Sequence, residues 1–195
     1  PLSAQAHERT VAWRDDLRGI VQVLQGRATE GVDAMLQTLE ISDDASLEAL
    51  ADRILAGTTL DTDAAFVPFV AAALQVYFTR LAAALDVESV SHCDVATICP
   101  VCATRPVASV VRLGGDRANL RYLTCALCST EWHMTRVQCT SCEEEKCLKY
   151  LAVEVDGRGP ERAVARAEAC QVSVGPVATP VAPSSGEISA DAAGA

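Results

Sequence analysis

In the first half of the chain, apolar residues recur every three to four positions. Trp13, Leu17, Ile20, Val21 and Leu24 predict a helix that stops near Gly26. Val32, Met35, Leu36 and Leu39 predict a second, shorter one. The run "SDDASLEALADRILAG" (42–57) opens on Ser and Asp, which suit an N-cap, and closes on Gly57. Its buried face is Leu47, Leu50, Ile54 and Leu55. The longest helix carries Val70, Leu74, Tyr77, Phe78, Leu81 and Leu85, with Pro68 in its first turn, where a missing N–H costs little. Residues 64–85 are the most apolar stretch, but Pro68, Gln75, Thr79 and Arg80 interrupt it, so it predicts a buried helix rather than a membrane span. The stripes need nothing beyond a helical bundle core to explain them.

The period changes after Asp86. "VASVVRL" (107–113) is apolar and β-branched, "GGDRAN" (114–119) is turn-forming, and "LRYLT" resumes an extended pattern. "EWHMTRVQ" then leads into Cys139. "CLKYLAVEV" reads as a strand, "DGRGPE" (156–161) as a turn, and "RAVARAEA" as a strand ending at Cys170. The second unit repeats the first: cysteine pair, strand, Gly-rich turn, strand, cysteine. From Val172 the composition is Val, Ala, Pro, Ser and Gly without period, which predicts disorder. The expected organisation is α+β, with a helical domain at 1–90 followed by two small rubredoxin-like or zinc-ribbon-like β modules. The first spans 95–136 and the second, incomplete one 137–172, with a tail at 173–195.

Charge sharpens this division. Residues 1–98 hold 15 acidic and 6 basic side chains, a balance of −9, whereas 99–170 hold 9 acidic and 10 basic, a balance of +1. The net charge of −10 argues against a nucleic-acid-binding surface, which needs clustered Lys and Arg. No basic-then-apolar leader is visible in "PLSAQAHERT", and the missing initiator Met fits a fragment of a longer protein. Nine cysteines without a secretion signal point to a reducing compartment, where paired cysteines are more often metal ligands than disulfides.

The cysteines carry the chemistry. "CPVC" (Cys99, Cys102) and "CALC" (Cys125, Cys128) are separated by 22 residues, which accommodates a hairpin with a CxxC at each end. Such turns present four thiolates to one tetrahedral ion, either zinc or iron, and ligand type does not choose between them. An iron–sulfur cluster is a weaker alternative. "CTSC" (Cys139, Cys142) should pair with a CxxC beginning at Cys170, but position 173 is Ser, whose hydroxyl resists deprotonation. The second site therefore has three good ligands, Cys139, Cys142 and Cys170. Cys147 and Cys93 are spare thiols that could be recruited. Trp132 and His133 read first as packed or hydrogen-bonded strand residues and second as a ligand or partner contact. No Ser/His/Asp set, phosphate-cradling Gly loop or placed carboxylate pair supports enzymatic activity. The helices carry a core of their own, which predicts that they stay folded without metal.

The run "CPVCATRPVASVVRLGG" followed by "LRYLTCALCSTEWHMTRVQCTSCEEEKCLKYLAVE" resembles the FdhE-type formate dehydrogenase accessory proteins, as does the helical "FVPFVAAALQVYFTRLAAALD" before it. The likeness spans about residues 10–170 and is most specific around "TEWH". It implies a helical region with two rubredoxin-like metal modules, an association with iron, and a bacterial cytoplasmic location. It also implies a non-enzymatic maturation role on the immature catalytic subunit of formate dehydrogenase. A rubredoxin-like electron carrier is the alternative. Ser173 and the unrelated tail depart from the family pattern as a shifted reading frame would, which places the second site in question.

Overall fold

The computed structural model describes residues 1–90, 95–112, 120–141 and 143–145, together with the backbone of 148–155 and 158–167. Among the described residues the architecture is α+β: four α-helices, then a small antiparallel three-stranded sheet that carries a cysteine cluster.

The helices follow the apolar stripes. They are α1 (Ala12–Leu24), α2 (Glu30–Ile41), α3 (Asp44–Ala56) and α4 (Val67–Ala83). Gly26, with φ of 70°, lies just past α1 in the left-handed region that glycine tolerates. Asp43 caps α3 by accepting from Ser46 N at 2.9 Å, and Gly57 ends it with φ of 69°. Pro68 sits in the first turn of α4. Among the described residues no helix is long and apolar enough to cross a membrane.

A polar strap ties α1 to α3. Glu48 accepts from Trp13 Nε1 at 2.8 Å, from Arg9 NH2 at 2.7 Å and from the Arg14 guanidinium. Asp63, buried in the short turn before α4, accepts from Arg53 Nε and NH2 at 2.7 Å each and from Leu60 N at 2.9 Å. The buried interior begins with Trp13, Leu17, Val21, Leu36, Val70, Leu74, Tyr77 and Phe78. It does not end with the helices: the same cluster continues through Cys99, Val101, Cys102, Cys125, Leu127 and Cys128.

The sheet is ordered β1 (Pro106–Val111), β2 (Arg121–Cys125), β3 (Glu131–His133). On β2 the buried positions alternate, Arg121, Leu123 and Cys125, as the two-residue repeat of a strand requires. β1 is an edge strand and mostly exposed. The expected turn at 114–119 lies outside the described residues. A second hairpin, β4 (Leu148–Val155) with β5 (Arg158–Ala167), pairs Val155 with Arg158. β5 thus begins inside the stretch expected to be a turn at 156–161. Its register leaves two residues between the strands, the commonest hairpin length.

Candidate metal centre

Each cysteine pair of the first module sits on a tight backbone knuckle. The amide of Cys99 donates to Thr104 O at 2.8 Å, and that of Cys125 donates to Thr130 O at 2.9 Å. Four residues after the first cysteine the chain turns through the left-handed region, at Ala103 (φ 63°) and Ser129 (φ 57°). Neither is glycine, so each conformation carries a steric cost of about 1–2 kcal/mol that the surrounding structure must offset.

β1 and β2 bring the knuckles face to face. The Sγ atoms of Cys99 and Cys128 are 3.6 Å apart and those of Cys102 and Cys125 are 3.4 Å apart. All four lie within 4.8 Å of one another, and all four residues are buried. A tetrahedron of thiolates about 2.3 Å from a central ion has edges of about 3.8 Å, so the arrangement fits one tetrahedral ion. Four thiols sharing one buried pocket cannot all ionise unaided. Hydrogen bonding with Cys102 pushes the Cys99 thiol up, and hydrogen bonding with Cys125 does the same to Cys102. Cys102 in turn pulls both Cys125 and Cys128 down. A divalent cation held there would remove the conflict by keeping all four as thiolates, and its binding would release their protons.

The helical region grips both knuckles. Leu2 N donates to Val101 O at 2.8 Å and Ala4 N to Cys102 O at 2.9 Å. From α4, Gln75 Nε2 donates to Ala126 O at 3.3 Å, and Thr79 Oγ1 lies 3.4 Å from Ser129 Oγ. Trp132 is half-buried against the core and donates through Nε1 to Ala96 O at 2.8 Å. His133 is exposed and stacks edge-on against Tyr122, with ring centroids 6.0 Å apart. Trp132 is thus in the packed and hydrogen-bonded role expected first, and His133 lies outside the cysteine cluster.

The third pair is only partly described. Cys139 is buried, and its amide donates to Glu144 O at 3.0 Å, while Glu143 turns through φ of 61°. This repeats the backbone of the first two knuckles. Cys142 and Cys170 lie outside the described residues, as do Cys93 and Cys147. Arg121, whose part was not anticipated from the sequence, is buried. It donates to Ser109 Oγ at 2.7 Å and to three carbonyls just before Cys139: Thr135 and Arg136 at 3.3 Å and Gln138 at 2.7 Å. Glu143 then accepts from Ala96 N at 3.0 Å, docking the third knuckle on the entry to the first module. The hydroxyls of Thr104 and Thr130, each 3.0 Å from cysteine sulphur, were also not singled out from the sequence, although "CPVCAT" and "CALCST" place them alike.

The family model for the FdhE N-terminal region matches residues 1–94, and that for the FdhE central domain matches 98–136. The FdhE homolog of Pseudomonas aeruginosa is 38% identical over 170 residues, covering 87% of this chain and 55% of that protein. The homolog of Edwardsiella ictaluri is 37% identical over 171 residues, again 87% of this chain, and 54% of that protein. The crystal structure of the FdhE protein from Pseudomonas aeruginosa superposes with a TM-score of 0.65 at 36% identity, over 77% of this chain and 51% of that one. The chain thus spans about half the length of the curated relatives it matches. Two consecutive FdhE family models, relatives at this identity and a shared fold together place this chain in the FdhE family.

Proposed function

We propose that this chain is an accessory factor in formate dehydrogenase maturation. It acts without catalysis of its own, as a chaperone-like protein of the bacterial cytoplasm that recognises the immature catalytic subunit. Cys99, Cys102, Cys125 and Cys128 hold one iron or zinc ion as thiolates. The observation that carries this reading is the buried four-sulphur cluster, all within 4.8 Å, in a chain of the FdhE family. When bound, the ion supplies a rigid cross-link between the knuckles and, if it is iron, a one-electron centre. The protein's own part is to orient the sulphurs, bury them from water, and present the acidic helical surface and the β3 strand as contact faces.

The test is co-purification. The full chain, as purified anaerobically and after metal stripping, is offered the immature catalytic subunit, and its metal is measured. Capture by the metal-loaded chain is expected. Absence of any capture overturns the maturation role. Reversible iron redox without capture favours the electron-carrier reading instead, and a site filled only with zinc excludes that reading.

We propose a second site formed by Cys139, Cys142 and Cys170, with residues 137–172 as its module. The knuckle backbone at Cys139 and its burial support it. With Ser173 in the fourth position, the unmodified chain should hold close to one ion, and Ser173→Cys should raise the content towards two. Two tightly held ions in the unmodified chain would show that another group fills the fourth corner.

A further inference from the structure

Two stretches of the chain copy one another: "CPVCAT" at 99–104 and "CALCST" at 125–130. Both place a threonine two residues after the second cysteine. Thr104 Oγ1 lies 3.0 Å from Cys102 Sγ and 3.0 Å from Cys125 Sγ. Thr130 Oγ1 lies 3.0 Å from Cys128 Sγ. Three amides also point at sulphur: Val101 N at 3.4 Å from Cys99, and Leu127 N and Cys128 N at 3.3 and 3.4 Å from Cys125. The third knuckle, "CTSCEE", has Glu144 where the other two have threonine. An ionised carboxylate has no proton to give.

A neutral thiol can either donate to a hydroxyl or accept from it. A metal-bound thiolate has no proton and only accepts. Once an ion is held, both threonine hydroxyls must therefore act as donors, with Thr104 dividing its one proton between Cys102 and Cys125. A donated hydrogen bond withdraws electron density from sulphur. Ferric iron with four thiolates carries one net negative charge and the ferrous form carries two. In a buried pocket the added charge is costly, so donors to sulphur favour the reduced form. We propose that Thr104 and Thr130 are positioning residues that tune the four-cysteine site, so that iron held there is reduced at a higher potential than it would be without the two hydroxyls. This rests on the metal assignment above.

The test uses the full chain, with Cys139→Ser introduced throughout so that only the first site reports. Iron-loaded Thr104→Val and Thr130→Val are compared at an electrode with the parent and with Thr104→Ser and Thr130→Ser. Each valine should shift the preference for the reduced form by on the order of tenfold against reduction. For one electron this is a fall of about 59 mV. Serine keeps the hydroxyl and should restore most of the potential. Cobalt(II) loading gives a second readout: losing a donor raises the energy of the sulphur lone pairs, so the thiolate-to-cobalt band should move to longer wavelength in the valine chains and not in the serine chains. If a valine chain does not retain iron, the cobalt band decides. Valine chains with the parent's potential and band overturn the proposal while leaving the metal assignment intact. A parent chain that takes up neither iron nor cobalt overturns both.

Discussion

At the scale of the residue, the site depends on groups that differ in how visible they are in the sequence. Cys125 Sγ lies 3.4 Å from Cys102 Sγ and accepts from the Leu127 and Cys128 amides. A serine there keeps the size but not the ionisation. Cys125→Ser should therefore lose the first ion, with metal analysis falling by about one ion per chain; full retention would refute the ligand assignment. Arg121 is equally specific in its contacts. Arg121→Met leaves the carbonyls of Thr135, Arg136 and Gln138 without this donor. The expected cost is about 1.5–3 kcal/mol, the usual worth of hydrogen bonds to a charged group. Amide exchange at 135–138 should speed up by tenfold or more, and unchanged protection there would contradict the role given to Arg121. The two cases explain what could be read from the sequence. Cysteine spacing is a chemical signature, so the cluster of four cysteines could be read from it. Arg121 acts through backbone carbonyls, which every residue has, so no partner type in the sequence points to it.

Among the elements, helices were the most legible, because a 3.6-residue apolar period and a capping residue are both local. Period fixes which face is buried but not how deeply. On α3 the fully buried positions are Leu47, Leu50 and Ala51, while Ile54 and Leu55 are only partly covered. The apolar run at 107–111 does form a strand, yet Val107 and Val110 are exposed, because whether anything packs on a strand's face is a property of its neighbours and not of its composition. The link from α3 to α4 depends on Asp63, which no motif marks. Its carboxyl is held down to about 2, chiefly by the Arg53 hydrogen bonds, against about 3.9 in an unfolded chain. A depressed folded-state value means the contribution is complete above about pH 4 and is lost as pH falls towards 2. Asp63→Asn removes that dependence. Acid titration followed by helical circular dichroism should show a shallower loss of stability between about pH 4 and pH 2 in the variant; equal slopes would mean the ion pair does not anchor the link.

Across the whole molecule, an ion held by the four cysteines would bear on more than its own hairpin. The sequence divides the chain by charge and period, which predicts helices that stand alone. The structure instead runs one buried cluster from Trp13 and Phe78 to the four cysteines. It also adds backbone bonds from Leu2 and Ala4 to the first knuckle and side-chain contacts from Gln75 and Thr79 to the second. An ion that binds the folded knuckles and not the unfolded chain stabilises everything that unfolds with them, by about 2.7 kcal/mol at a hundredfold excess over its dissociation constant. For a chain of this size each kcal/mol moves the midpoint by about 2–4 °C, so chelation under reducing conditions should lower it by roughly 5–10 °C. The decisive signal is the helical one. If the knuckles and helices form one cooperative unit, the far-ultraviolet helix signal must shift with the thiolate absorbance of the metal site. A helix signal that melts at the same temperature with and without metal would mean that the shared core packs the two regions together without coupling their unfolding.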